Sequence, residues 1–396
     1  MRELMWAKFS ASGLEGAECW ALLAAGTLIV AVLALKPFES TLMGAGYYVL
    51  ERRNQLLGAG FRVVLTLIAC FHFKSIVAIA FAEAFALMLP PIVSTYAVLR
   101  RRLGVVKFSE SSTATMRSLL GYSTRSFSVA LTGTLILQSG TLIVAGLGNP
   151  AAVTYYSSAF RVYSSVRQLI FWSTDPFRPV LSQLWQKDRE SAIKTLFGLF
   201  FLASASALTG STVLILAATE ISRLWLGNAA VAYGVPITII VLLMGLSVNM
   251  FHVPFIPAMD AAGTPGAYFL LQLCWLAAYV PAGIVLGHHF GIVGVATAMS
   301  VSIVLLEPLY IRKAIKVLQL TWRGWLAGAL RPVAFLLVPP LCMTAGVYFL
   351  VNVSDTRTPY GFVYSVLFLA LVCINSVITR RRLPIETLRF AMKQKL

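Results

Sequence analysis

The sequence predicts an all-α, polytopic integral membrane protein of about 12 transmembrane helices, arranged as two helix bundles plus a C-terminal helix pair. Three observations predict it. Of the 396 residues, 58% are hydrophobic and 12% charged, against about 45–50% apolar and about 25% charged in soluble domains. Apolar runs of spanning length, about 20 residues, recur along the whole chain. Lys and Arg fall on alternate loops between those runs. The composition excludes a disordered chain, which is apolar-poor and charge-rich, and disfavours a soluble enzyme.

The clear runs lie near 17–35, 56–72, 75–99, 126–147, 152–172, 193–217, 231–252, 267–287, 291–311, 330–351 and 360–379. A shorter one, 37–50 (PFESTLMGAGYYVL), carries Glu39 and counts as a tilted or broken twelfth span. The N-terminus lacks the short apolar region and small-residue cleavage site of a signal peptide, so the first span is expected to stay in the protein.

The charge balance, 32 Lys and Arg against 15 Asp and Glu, gives a net +17. Such an excess suits nucleic acid, anionic lipid, or retention of basic residues in cytoplasmic loops. Placing Arg2 and Lys8 in the cytoplasm and alternating the spans puts 24 of the 32 basic residues on that side. Only Lys36, Lys74, Arg223 and Arg357 face the other way, and Arg62, Arg125, Arg161 and Arg167 fall within spans or at their edges. The bias is a positive-inside signal. It makes nucleic acid an unsupported partner and membrane lipids an expected one, with both termini cytoplasmic. The alternation requires 37–50 to cross separately; otherwise Arg2 and Lys8 change sides. The longest polar stretch, 100–125, separates the helix groups, so the expected divisions are 1–110, 111–320, and 321–396 with its basic tail.

No catalytic signature is present: no Walker A loop, HExxH, GxSxG or metal-spaced His/Cys set. The cysteines Cys19, Cys70, Cys274, Cys342 and Cys373 sit in apolar stretches and read as free thiols packed as small hydrophobes. No catalytic residue, metal or cofactor is expected.

Charges in the hydrocarbon cost about 2.5–3.5 kcal/mol on insertion scales, so each is a functional candidate. On the helix AVTYYSSAFRVYSSVRQLIFW, Ser157, Arg161, Ser164, Ser165 and Gln168 lie within about a third of a turn. Such a stripe needs protein or water beside it, and Arg161 at its middle suits a cavity that receives an anion; pairing with a carboxylate is the alternative. Arg167 reads as a snorkelling side chain or a further cavity cation, and Arg125 as an interfacial anchor or the rim of that cavity. Gln138 and Ser139 lie deep in the preceding helix, where interhelical hydrogen bonding competes with substrate binding. Glu83 (AIAFAEAFALMLP) is either a proton or cation site or the partner of an arginine. Arg62 fits snorkelling as well as function. Glu307 precedes Pro308, a point of helix irregularity. Asp175 and Arg178 are spaced for a local ion pair. The paired His288 and His289 read as a polar cap.

Several stretches resemble the multidrug/oligosaccharidyl-lipid/polysaccharide (MOP) flippase superfamily, and within it the Wzx-type polysaccharide exporters. GNPAAVTYYSSAFRVYSSV looks like an external turn followed by a Tyr- and Arg-bearing helix. PFRPVLSQLWQKD resembles a Pro–x–x–Ser helix end, EISRLWLGNAAV the external segment before the tenth helix, and FIPAMDAAGTPGAYFLLQL a glycine-containing cytoplasmic turn. GIVGVATAMSVSIV is similar to a Gly-x-x-Gly helix start, and YYVLERRNQLLGAGF to the turn between the fourth and fifth helices. The resemblance covers roughly 15–320 and rests on order and spacing; the span map corresponds to helices three to fourteen of that family, without the first two.

The resemblance implies alternating-access flipping of a polyprenyl-diphosphate-linked oligosaccharide across a bacterial cytoplasmic membrane, coupled to an ion gradient. Its partners would be the anionic lipid-linked oligosaccharide, membrane lipids, and polysaccharide polymerase and export proteins. Arg161, supported by Arg125 and Arg167, would attract the diphosphate, and Glu83 would carry the coupling charge. A lipid II flippase and a drug/cation antiporter of the same superfamily are the rival readings, ahead of a membrane glycosyltransferase or polymerase.

Overall fold

The computed structural model describes residues 16–103, 113–352, 361–379 and Pro384. Arg2, Lys8, Lys107, Arg357 and the basic tail from Arg380 lie outside the described residues. Among the described residues the elements are helical, without strands. Among the described residues eight helices are long and apolar enough to cross a membrane, fewer than the 12 spans expected but consistent with a multi-pass chain. The chain divides into two compact units, 1–112 and 113–396.

In the first unit, α1 (Gly16–Val32) runs through a 3-10 turn at Leu33–Leu35 into α2 (Lys36–Gly44). The two make one 29-residue apolar rod, so 37–50 is not the separate crossing expected from the sequence. The reason is local. Pro37 occupies the first turn of α2, where its missing N–H breaks no hydrogen bond, so it does not stop the helix. The reversal comes at 45–47, where Gly46 takes φ +86, a conformation that glycine adopts without strain. One crossing in place of two removes the requirement that Arg2 and Lys8 share a side with Arg52 and Arg53.

The chain returns as α3 (Tyr48–Ile68) and α4 (Ile76–Arg100), which pack on each other; α4 also packs against α1 and α2. The α3–α4 contact is close because Gly58 faces Pro90, where a Cβ would collide with the proline ring. Beside it Asn54 donates to the Ser94 hydroxyl at 3.2 Å. Small residues and polar side-chain bonds are how helices associate in lipid, where no hydrophobic drive remains between them.

The second unit holds α5 (Thr113–Gly146), α6 (Pro150–Thr174), α7 (Arg178–Lys187) and α8 (Arg189–Leu216). Short helices α9 (Ala218–Leu226) and α10 (Asn228–Ala232) lead to α11 (Val235–Asn249) and α12 (Phe255–Ala261). Then come α13 (Phe269–Val317), the short α14 (Trp322–Trp325), α15 (Arg331–Asn352) and α16 (Gly361–Thr379). Starts follow from caps: Asn149 accepts from the N–H of Ala151 and Ala152 with Pro150 next in line, and Asp188 accepts from Glu190 and Ser191. The Ser191 hydroxyl and backbone N–H hold the Asp188 carboxyl below the usual range.

Helix α13 is two arms joined at Gly291, whose φ of 57 and ψ of −139 suit only glycine. Gly294 presses so closely on the Leu286 carbonyl that a Cβ would collide with it. The Gly-x-x-Gly pattern is thus the hinge of a tight reversal. The core gathers buried faces of α5, α6, α8, α11, α12 and α13, including Tyr156, Tyr163, Phe200, Phe255, Tyr279 and Tyr310. A smaller cluster of Phe201, Ala205, Val333, Leu336, Leu337 and Phe368 seats α15 and α16 on α8. Large apolar side chains such as Trp20, Val49, Phe71, Leu142 and Leu305 stay exposed, as a lipid-facing surface requires. The five cysteines are free; Cys19 is buried, while Cys70, Cys274, Cys342 and Cys373 are exposed rather than packed inside.

Candidate functional site

Within the first unit, a cavity of about 630 Å³ is lined by charged groups from three helices and by apolar residues of α3 and α4. Arg62 on α3 approaches Glu83 on α4 at 2.7 Å. Lys36 and Glu39, both on α2, pair at 3.0 Å. Gly58 and Pro90 form part of the wall. Arg62 thus meets a specific carboxylate instead of only reaching for the interface, and Glu83 has an arginine partner. Pairing offsets the cost of placing either charge alone at membrane depth. Glu39 and Glu51 are also buried, Glu51 against Arg52 and Gln55. The sequence reading assigned no partner to these acids, and the signal available was their scarcity: each acid in an apolar run demands a cation or donor nearby.

In the second unit, α6 has the expected two faces. Tyr156, Ala159, Tyr163, Val166 and Ile170 are buried. On the other side Arg161, Ser165 and Gln168 are exposed, and Ser157 and Ser164 half-buried. The Ser164 and Ser165 hydroxyls donate back to the Arg161 carbonyl at 3.1 and 2.8 Å, and Ser157 donates to the Thr154 carbonyl. These local bonds satisfy the hydroxyls without using the guanidinium. Arg161 has no ion-pair partner among the described residues. Arg167 is half-buried and lies 4.6 Å over the ring of Phe171, one turn on.

The remaining candidates sit elsewhere in this unit. Arg125 lines a cavity of about 430 Å³ with Thr124, Ser128 and the glycine turn from Gly263 to Ala267; Arg161 is not among its walls. Gln138 is exposed in an apolar cleft of about 730 Å³ between α5 and α13. The structure therefore gathers Arg161, Ser157, Ser164 and Gln168 on one face and leaves Arg125 and Gln138 at separate places.

Two further ionic sites join positions far apart in the sequence. Arg178 bonds Asp175 at 3.0 Å, as spacing predicts, and also Asp260 on α12 at 2.6 Å. Burial raises the Asp260 carboxyl above its usual range against the opposing pull of Arg178. His252, in the turn after α11, meets Glu307 on α13 at 2.7 Å, and both are almost fully buried. Neither pairing has a local sequence signal, because both depend on how helices are rotated against each other.

Residues 54–185 match the family model for polysaccharide biosynthesis protein. The lipid II flippase MurJ, in an inward closed conformation, superposes with a TM-score of 0.63 at 14% identity, over 91% of this chain and 74% of that one. A mutant of the Vibrio cholerae MATE transporter VcmN gives 0.60 at 15% identity, over 80% of this chain and 74% of that one. The bent form of VcmN gives 0.56 at 16% identity. The chain shares the fold of these flippase and transporter structures. No curated protein matches it in sequence. The MOP resemblance read from short motifs is therefore supported from two other directions. The family match spans Glu83, Arg125, Gln138 and the whole Arg161 stripe.

Proposed function

We propose that this protein is a flippase that moves a polyprenyl-diphosphate-linked oligosaccharide repeat unit across a bacterial cytoplasmic membrane for surface polysaccharide synthesis. The observation that carries the reading is Arg161: an exposed guanidinium on the polar face of α6, without an ion-pair partner among the described residues. A planar fork of donors suits a diphosphate. Ser157, Ser164 and Gln168 flank it, while Arg167, Arg125 and Gln138, which lie apart from that face, serve other stages of the substrate's passage in this reading. Glu83 carries the coupling charge in this reading, with Arg62 as the counter-charge that an arriving proton or cation displaces. Transport proceeds by alternating access, with polymerase and export proteins as downstream partners and both the substrate and the path anchored in lipid.

The test is complementation of a flippase-null strain, scored by surface polysaccharide and by accumulated lipid-linked intermediates. Arg161→Ala at normal membrane abundance is expected to lower export at least about tenfold, the equivalent of about 1.4 kcal/mol, and Arg161→Lys to retain part of it. Full export by Arg161→Ala overturns the assignment. Lipid II is the second reading, favoured by the likeness to the lipid II flippase MurJ; rescue of a lipid II flippase-depleted strain, without restored polysaccharide, would select it.

A further inference from the structure

His252 and Glu307 occupy a closed box inside the second unit. Their side chains are 6% and 3% exposed and 2.7 Å apart. Tyr310 stacks on the imidazole at 4.2 Å between ring centres, and Tyr268 closes the edge at 5.3 Å. The second oxygen of Glu307 and the hydroxyls of Tyr268 and Tyr310 are buried without a hydrogen-bond partner among the described residues. Cys274 lies beside Tyr310. On α12, Asp260 is already paired with Arg178.

We propose that His252 and Glu307 form a buried proton-binding pair whose loading pins the α11–α12 turn to the second arm of α13. With one proton the pair is neutral overall, as an ion pair or as two neutral groups. Without it, a carboxylate is left buried among aromatic rings with no counter-charge, and packing that excludes water becomes unfavourable. A proton fits better than a metal ion: among the described residues no group of three His, Cys, Asp or Glu side chains gathers.

The pinned elements are built to move. Pro308 follows Glu307 and removes the helix bond to the Val304 carbonyl, loosening α13 at that turn. Pro254 caps the short helix α12 and Pro257 lies in its first turn, so the segment after His252 is a brief helix and not a continuation of α11. The other end of the same contact is fixed: Ser300 donates to the Val241 carbonyl at 2.8 Å, where Gly245 lets the helices touch. Loss of the proton therefore releases one end of a hinge held at the other. The proton site itself stands independently of the transport reading; its place in the transport cycle rests on that reading and adds to it a second acidic site besides Glu83.

Two measurements test this. Proton uptake by the purified full chain in lipid nanodiscs is followed with a pH dye between about pH 5 and pH 8, where histidine ordinarily titrates. Glu307→Gln and His252→Asn should each change the uptake curve, and the double variant should match a single variant, since removing either member breaks the pair. Additive effects, or curves identical to the parent, overturn the proton site. The same variants are then scored for export in the flippase-null strain against external pH. A flattened pH profile at normal membrane abundance is expected. An unchanged profile overturns the role in transport and leaves the proton site standing. If the parent chain fails to restore export while uptake shows the coupled pattern, the flippase reading fails and the proton site survives.

Discussion

Two long-range acid–base contacts, Arg62–Glu83 in the first unit and His252–Glu307 in the second, have equal separations of 2.7 Å and opposite settings. Arg62 and Glu83 are 55% and 29% exposed along a cavity, whereas His252 and Glu307 are 6% and 3% exposed within rings. The difference teaches that distance alone does not rank such contacts. An accessible pair is screened and can exchange partners, which suits a group that meets a substrate or an ion. A closed pair loses solvation, so changing its charge forces a structural response.

That contrast can be broken by substitution. His252→Ala should destabilise the second unit by about 3–5 kcal/mol, because it leaves a buried carboxylate unpaired; thermal melts in detergent read the loss, and a change as small as that of Arg62→Ala would erase the distinction. Gly58→Leu should cost about 1–3 kcal/mol by forcing α3 from Pro90, and a melt equal to the parent's would show that the helices separate freely there. A double-mutant cycle on Arg62 and Glu83 should give a coupling of only about 0.2–1 kcal/mol, with export far more sensitive than stability.

The smallest effect concerns Asp260, which lies outside the spanning helices. Its carboxyl is raised by burial, so the fold favours its protonated form. The contribution is complete below the ordinary aspartate value, about 3.9, and is lost as pH rises through the raised value. Melting temperature across that window should fall slightly with pH in the parent, fall more in Arg178→Ala, and lose this slope in Asp260→Asn.

Much of the fold was legible in the sequence because membrane insertion writes itself locally. Apolar run length marks spans, and Gly291 with Gly294 marks a helix start. The polar stripe on α6 was legible for the same reason, since five positions at helical spacing define a face whatever packs nearby. The stretch at 37–50 misled because a proline at a helix start looks the same as a proline at a break; only the preceding turn, continued as a 3-10 helix, separates them. Arg125 and Gln138 were expected in one cavity with Arg161, but they line separate ones, because such grouping depends on the rotation of α5 and α6.

By itself, then, the sequence determined an all-α multi-pass chain, its basic bias toward alternate loops and the polar face of α6. These follow from hydrophobicity and from the helical repeat, both properties of neighbouring residues. The tertiary structure alone decided that Arg62 meets Glu83, that Arg178 reaches Asp260 and that His252 meets Glu307. Those contacts join residues 21, 82 and 55 positions apart. They depend on the depth and azimuth of two helices at once, which packing sets through contacts such as Gly58 on Pro90 and Gly245 on Ser300.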